Sequence, residues 1–443
     1  MATTYLQRTP TARTNSKKFT YSCWFKRSKI ASAGYLVINL ESGNDRGYVV
    51  LDANDKFNVY DVAGGTVRLN ILSNFVLRDT NAWYHLVYSV DSTAGSNRTK
   101  FYINGVDRYS DFTVTTARAQ DGTVGFQQGT VSNSFKIGSQ ESGSTTFDGS
   151  MSHINFVDGL QLDASAFGET DSTTGEWKIK TSPTVSEYGN NGFFILKDGN
   201  SVTDQSGKGN NFTVGGGTLT KTEDNPSNSF ATWNLNWYPG NDMFGINGNT
   251  KLSEPDTVWQ TSVSTLASKT GKYYMEYKCE GNYVMIGCLD INNSKNGAND
   301  KNFGSSTDIT SYGYGYYNAD GQVYNAGSGS SFGNTYTSND IMGVALDCDN
   351  KKMYFSKNGV WQNSGVPTSG STGTGAVSLA TGDDRCYVMA CSVQDNNIGA
   401  NFGNGYFGPI VISSAGTNAS NNGIFEYDVP AGYTALSTKG LNI

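Results

Sequence analysis

Of the 443 side chains, His85 and His153 are the two histidines, the residue type whose ordinary pKa lies near neutrality. Each sits inside a run that reads as a strand, and no Gly-x-Ser-x-Gly turn sets a nucleophile beside either. Both are therefore expected to be core or sheet-face residues. Cys23, Cys279, Cys288, Cys348, Cys386 and Cys391 stand singly, without a Cys-x-x-Cys pair for zinc or redox chemistry, and are expected to be reduced and buried. A bridge between Cys279 and Cys288 is the alternative, and spacing alone does not decide it. Gly215-Gly216-Gly217 lacks the Lys-Ser/Thr of a phosphate loop. Asp290-x-Asn292-x-Ser294 begins like a calcium loop, yet Lys301 stands where a bidentate Glu is needed, so a turn is the preferred reading. Binding is better served. The run Tyr312 to Tyr317, Tyr-Gly-Tyr-Gly-Tyr-Tyr, offers flat aromatic area with hydroxyl tips, which makes Tyr312, Tyr314, Tyr316 and Tyr317 candidate ligand-binding residues. Sheet packing or filling of an intersubunit contact is the alternative for the same four.

These residues must be positioned by sheets. From Ser338 to Gln362 the chain reads strand, turn, strand, turn, strand. Ile341, Val344 and Leu346 form an apolar run, Asp349-Asn350 interrupts it, Met353 and Phe355 resume a period-two alternation, and Asn358-Gly359 suits a hairpin with positive φ. In the first half, Phe19, Tyr21, Cys23 and Phe25 alternate with Thr20, Ser22 and Trp24, the pattern of a half-covered strand. The composition is that of an all-β chain with two cores: Gly 53, Tyr 26, Phe 22 and only 16% charged residues. The expected organisation is two antiparallel β-sandwiches, residues 1–224 and 251–443, joined by a connector at 225–250. Trp233 and Trp237 in that connector are expected to pack at an interdomain or intersubunit contact, because indoles in a spacer would otherwise lie in water.

The formal net charge of −7, without a clustered basic face, argues against nucleic acid as a partner. No window approaches the eighteen apolar residues of a membrane-spanning helix, and the first residues lack the apolar centre of a secretory signal. A soluble chain that is not exported by a classical N-terminal route, without membrane insertion, is the expectation.

Two resemblances add to this reading. Gly343-Val-Ala-Leu-Asp347 followed by Met353-Tyr-Phe-Ser-Lys-Asn-Gly-Val-Trp361 resembles the signature of SPRY domains, with Gly271 to Glu276, Val284 to Gly287, Tyr312 to Tyr314 and Asn401 to Gly403 in the family's order. The segments Ala82 to Asp91, Lys100 to Val106 and Phe147 to Phe156 look like laminin-G-like members of the concanavalin A-like lectin/glucanase superfamily, a jelly roll. There the element Gly192 to Leu196 with Asp204 to Asn211 usually opens the domain. Here it closes it, so the order looks circularly permuted, which strand pairing tolerates if the first and last strands are neighbours. The whole combination, with Tyr5 to Pro10, Ser22 to Arg27, Phe167 to Asp171 and Asn225 to Thr232, resembles structural proteins of marine tailed bacteriophages.

The resemblance implies a virion surface protein made in the host cytoplasm, a head decoration or fibre, assembling with other virion proteins, as a homo-oligomer with a trimer as the first expectation. A bacterial surface glycan or protein is the implied ligand; a dedicated glycan-binding adhesin and a glucanase are the rivals. The glucanase reading fails on spacing: the superfamily's Glu-x-Asp-x-x-Glu is missing, and Glu169-Thr170-Asp171 with Glu176 has the wrong interval. No enzymatic activity and no cofactor are expected. Calcium at a sandwich rim, through Asp148 or Asp204, is what the resemblance leaves open.

Overall fold

The hairpins expected in the second half set its sheet. Strands Ile341–Asp347, Lys352–Lys357 and Val360–Trp361 pair antiparallel in succession. Asn358 (φ 49°) and Gly359 (φ 80°) take the left-handed conformations that the second turn requires. The computed structural model describes residues 3–42, 44–126, 134–237, 243–293, 302–304 and 312–441. Ser294 and Lys301 of the calcium-loop motif lie outside them.

The chain divides into two units, Met1–Lys221 and Thr222–Ile443. The division falls close to the expected end of the first sandwich at 224. The expected connector at 225–250 is instead built into the second unit. Trp233–Asn234 pairs with Gln260–Ser268, and Phe244–Ile246 pairs with Lys251–Glu254. The physical reason is burial: Phe230, Trp233 and Leu252 carry apolar surface that the second core takes up.

Each unit is a pair of sheets. In the first, an eight-stranded sheet faces a six-stranded one in which Phe193–Ile195, Gly149–Asp158, Lys18–Arg27, Trp83–Asp91, Thr99–Ile103 and Val106–Asp107 follow in that order. Between them lies an aromatic core in which Phe19 contacts Tyr88, Phe126 and Phe156, and Phe193 contacts Phe135 and Phe212. Full burial of each such ring is worth roughly 1.5–3 kcal/mol. Tyr5–Arg8 and Thr213–Gly216, the first and last strands of this unit, are hydrogen-bonded neighbours. That is the arrangement in which a permuted order leaves strand pairing intact.

The strand Lys18–Arg27 departs from the half-covered expectation. Thr20, Ser22 and Trp24 are as buried as Phe19 and Tyr21. Their face of the sheet is covered by a small second cluster in which Val87, Tyr102 and Val157 meet Ala164 and Phe167, with Trp177, Val185 and Tyr188 packed against it. Alternation showed two chemically different faces; a later segment of the chain lies over the polar one.

In the second unit, a seven-stranded sheet containing Gln260–Ser268, Tyr387–Val393, Val284–Asp290 and Gly313–Tyr317 faces a nine-stranded one containing Asn396–Asn401, Lys272–Cys279 and the hairpins above. Beyond strands, the described residues add short 3-10 turns and the brief helix Thr438–Leu441. Among the described residues, no helix is long and apolar enough to cross a membrane.

Candidate binding sites

Apart from Asp148 and Glu176, the histidines and carboxylates singled out above are held by structural contacts among the described residues. His85 is fully buried, with Ser22 Oγ 2.9 Å from its Nε2, which on distance alone looks like a nucleophile beside its base. The other nitrogen decides otherwise. Trp177 Nε1–H donates to His85 Nδ1 at 3.0 Å, so the neutral ring carries its proton on Nε2 and donates to Ser22. The imidazole is stacked between Trp24 (4.8 Å) and Trp177 (5.9 Å), and burial pulls its pKa down to about 3. A base so weak, with its acceptor nitrogen already occupied, does not activate a hydroxyl at neutral pH. His153 is held by Ser152 Oγ at Nδ1, and burial, helped by Lys197, lowers its pKa to about 4.

The carboxylates near the glucanase interval flank a lysine rather than a cleft. Glu169 and Asp171 both pair with Lys178, at 3.6 and 3.1 Å, on the hairpin formed by Gly168–Thr170 and Trp177–Ile179. Asp171 also accepts from the Thr174 and Thr173 amides, which bring its pKa to about 2. It cannot serve as the protonated acid that glycoside hydrolysis needs. Asp204 accepts from the Phe194, Ser206 and Asn210 amides and the Ser206 hydroxyl, fixing its own loop against the strand Phe193–Ile195. Asp290, fully buried, pairs with Arg385 at 2.8 Å. Asp148 lies in a half-enclosed niche beside Arg27 and Lys29, where burial raises its pKa.

The tyrosine run is a strand, not a loop. Gly313–Tyr317 pairs with Val284–Asp290 on one side and Gln322–Asn325 on the other. Tyr314 and Tyr316 point into the core, 8% and 0% exposed. Tyr316 Oη donates to the Asn334 carbonyl at 2.5 Å, and Tyr314 Oη accepts from the Ala380 amide at 2.9 Å. Tyr317 turns to the opposite face, against Trp259 and Tyr324. Tyr312 stacks under the Arg385 guanidinium at 3.9 Å. The four do not form one surface: the two-residue period sends Tyr317 to the face opposite Tyr314 and Tyr316, and those two point into the core. Trp233 is likewise core, fully buried between Tyr277 and Phe402, so it is no interdomain or intersubunit anchor. Trp237 packs on the other face of the seven-stranded sheet, beside the cluster of Met285, Leu289 and Val388.

Two arrangements that the sequence reading passed over have the character of binding sites. The first lies on the outer face of the eight-stranded sheet. Strands Gly34–Ser42, Asp45–Leu51, Phe57–Ala63 and Thr66–Ser73 turn Val37, Val49, Val59 and Ile71 inward and half-expose Tyr35, Tyr48, Tyr60 and Asn70. The register puts Tyr48 opposite Tyr60 and Tyr60 opposite Asn70. Tyr35 and Tyr60 each lie 5.4 Å from Tyr48, and the Arg46 guanidinium sits 5.5 Å over Tyr60. Tyr35 meets Tyr48 edge to face at 67°, and Tyr48 stacks on Tyr60 at 22°. Burial raises the Tyr48 pKa to about 12 despite Arg46, so the hydroxyl stays a neutral donor. Arg46 Nε and Arg68 Nε are buried with no hydrogen-bond partner among the described residues. The signal was there in Tyr35, Tyr48 and Tyr60 at matching strand positions, but register is invisible without the pairing.

The second is a cleft of 290 Å³ in the second unit, walled by Trp361, Tyr427, Glu426 and Asp428 over a floor of Tyr274 and Ser356. Its far wall is held by Glu276, a fully buried carboxylate that accepts from the Glu426 and Tyr427 amides, each at 2.8 Å, and from Tyr274 Oη at 3.1 Å.

A pair of antiparallel β-sandwiches whose open features are a polar face and a shallow cleft is the build of a binding protein. Residues 2–165 match the model of the concanavalin A-like lectin/glucanases superfamily, and residues 272–402 match that of the SPRY domain. The chain thus carries a concanavalin A-like domain followed by a SPRY domain. Solved structures similar to parts of it include the SPRY domain of human HERC1, 14% identical, covering 36% of this chain and 91% of that one with a TM-score of 0.26. A heptameric SAP-like pentraxin from Limulus polyphemus is 15% identical over 36% of this chain and 71% of its own, TM-score 0.27. A Bacteroides ovatus protein provisionally called carbohydrate binding is 18% identical over 50% of this chain and 58% of its own, TM-score 0.34. No curated protein sequence matches the chain.

Proposed function

We propose that the chain is a non-enzymatic attachment protein of a tailed-phage particle, and that its first domain holds a bacterial surface glycan across the Tyr35, Tyr48 and Tyr60 row. The observation that carries the binding half is that row itself, with the Arg46 guanidinium over Tyr60 and Arg68 two positions before Asn70 on the neighbouring strand. Three phenol hydroxyls on a rigid sheet, with the Arg46 guanidinium over Tyr60, suit a sugar polymer bearing carboxylates. Arg46 and Arg68 make no ion pair among the described residues, so their charge is available to an anionic ligand. The virion half rests on the resemblance of Tyr5 to Pro10, Ser22 to Arg27 and Asn225 to Thr232 to phage structural proteins. Copies clustered on a particle would multiply weak single-site affinity.

Two measurements test the halves separately. Purified chain passed over alginate and over uncharged dextran is expected to bind alginate, and the Arg46→Ala, Arg68→Ala double variant to bind at least tenfold more weakly. Equal retention on dextran, or an unaffected double variant, would refute the glycan site. Antibody-gold labelling of purified particles is expected to mark the head or the tail; unlabelled particles would sink the virion assignment. Light scattering of the purified chain checks the trimer expected from particle symmetry.

A further inference from the structure

We infer that the cleft of the second unit is a receptor for an arginine side chain presented by a protein partner. The cleft belongs to the outer side of the nine-stranded sheet, where Tyr274 and Ser356 form the floor and the hairpin turn at Gly359 forms a rim. At 290 Å³ it is just below the range of pockets for drug-sized ligands, which suits one side chain.

Four observations give the occupant its chemistry. Two aromatic side chains, Trp361 and Tyr427, line it, and aromatic rings are what a planar guanidinium stacks on. Two carboxylates, Glu426 and Asp428, line the same space, and no lysine or arginine does among the described residues. Asp428 spends Oδ1 on the Thr417 amide and hydroxyl, at 2.6 and 2.8 Å, which holds the group ionised and leaves Oδ2 open. Ser356 Oγ, 1% exposed, lies beside the Tyr274 hydroxyl without a hydrogen bond of normal geometry. The field agrees. After burial, the negative charges of Glu426, Glu276 and Asp340 raise the Tyr427 pKa.

The cleft is also prebuilt, which lowers the cost of binding. Gly359 has φ 80°, and a side chain there would meet the Tyr427 ring at 2.7 Å. Gly416 passes so close under Tyr427 that an added Cβ would lie 2.3 Å from its carbonyl carbon. Both glycines let the loops close on Tyr427 and fix the wall. Stacking and two carboxylates together recognise a planar, forked cation better than an ammonium.

The test uses the full chain labelled with 5-fluorotryptophan, the Trp361 resonance being assigned by its disappearance in Trp361→Phe. Fluorine NMR is followed during titration with the blocked tripeptides Ac-Gly-Arg-Gly-NH2, Ac-Gly-Lys-Gly-NH2 and the citrulline analogue of the first, and with methyl α-mannoside. The expected result is a saturable shift with the arginine peptide, at least threefold weaker binding of lysine and at least tenfold weaker binding of citrulline. Asp428→Asn keeps the acceptor for Thr417 and therefore the fold, and is expected to weaken arginine binding at least threefold. Citrulline binding as well as arginine, a shift with the mannoside alone, or no shift with any probe would overturn the inference.

Discussion

Both sandwiches bury carboxylates in ion pairs, Asp290 with Arg385 being one in the second, but they differ in the polar group each relies on most. The first encloses complete ion pairs and uncharged imidazoles: Arg27 with Asp55 at 2.8 Å, Arg118 with Asp61 at 2.7 Å, both pairs at or below 2% exposure, and His85 between two indoles. The second pins its C-terminal segment with a single carboxylate, Glu276, whose partners are amides and a phenol rather than a cation. A paired charge keeps its ionisation when buried; an unpaired one is pushed toward neutrality, which is why Glu276 rises to about 7. Two sandwiches of one class therefore meet acid and base differently.

The largest effect should come from breaking a pair in the first unit. Asp55 accepts from Arg27, from Arg78 and from the Ala31 amide. Asp55→Asn keeps the size and tolerates the φ of 66°, yet leaves the Arg27 guanidinium buried without its counter-charge. A loss of about 3–5 kcal/mol is expected from the first unit alone. Denaturant unfolding followed by hydrogen exchange checks it, and an equal loss in the second unit would show that the two are not independent.

Next comes pH. His85 and His153 have pKa values of about 3 and about 4 folded, against 6.5 unfolded, so between these limits the unfolded chain binds more protons. The first unit then loses stability as pH falls through 6.5, by about 3 kcal/mol at pH 4 from His85 alone. Glu276 works the other way. Its folded value of about 7 lies above 4.5, so the folded state holds the extra proton and the second unit loses stability as pH rises from 4.5 to 7, by up to about 3 kcal/mol. Calorimetry between pH 4.5 and 7 should show two transitions approaching or parting; transitions that move in parallel would defeat the comparison. Glu276→Gln should flatten the second slope only.

How far the sequence went differs between the units for a physical reason. The hairpins at 338–362 were legible because Asn358-Gly359 states its turn geometry locally. The fates of Ser22, Trp24 and His85 were not, because their cover, Ala164 to Tyr188, comes from a distant segment with little periodicity of its own. The choice left open between ligand surface and sheet packing for Tyr314 and Tyr316 has the same root. Tyrosine is equally at home at a wet loop tip and in a core that satisfies its hydroxyl, and only the pairing of Gly313–Tyr317 with its neighbours decides. The Tyr35, Tyr48 and Tyr60 row and the cleft needed more still, since each is assembled from strands or loops that meet only after folding.

That last ambiguity yields the smallest of these effects. Tyr316→Phe removes one hydroxyl that donates to Asn334 and leaves the ring in place against Phe332, Tyr336 and Phe355. The Asn334 carbonyl loses a partner in a partly buried setting, so a cost of about 1 kcal/mol is expected, confined to the second unit. Glycan retention and the arginine-peptide titration should both be unchanged, because Tyr316 reaches neither site. A variant as stable as the parent but deficient in either binding assay would return this tyrosine from the core to the surface and reverse the reading of its strand.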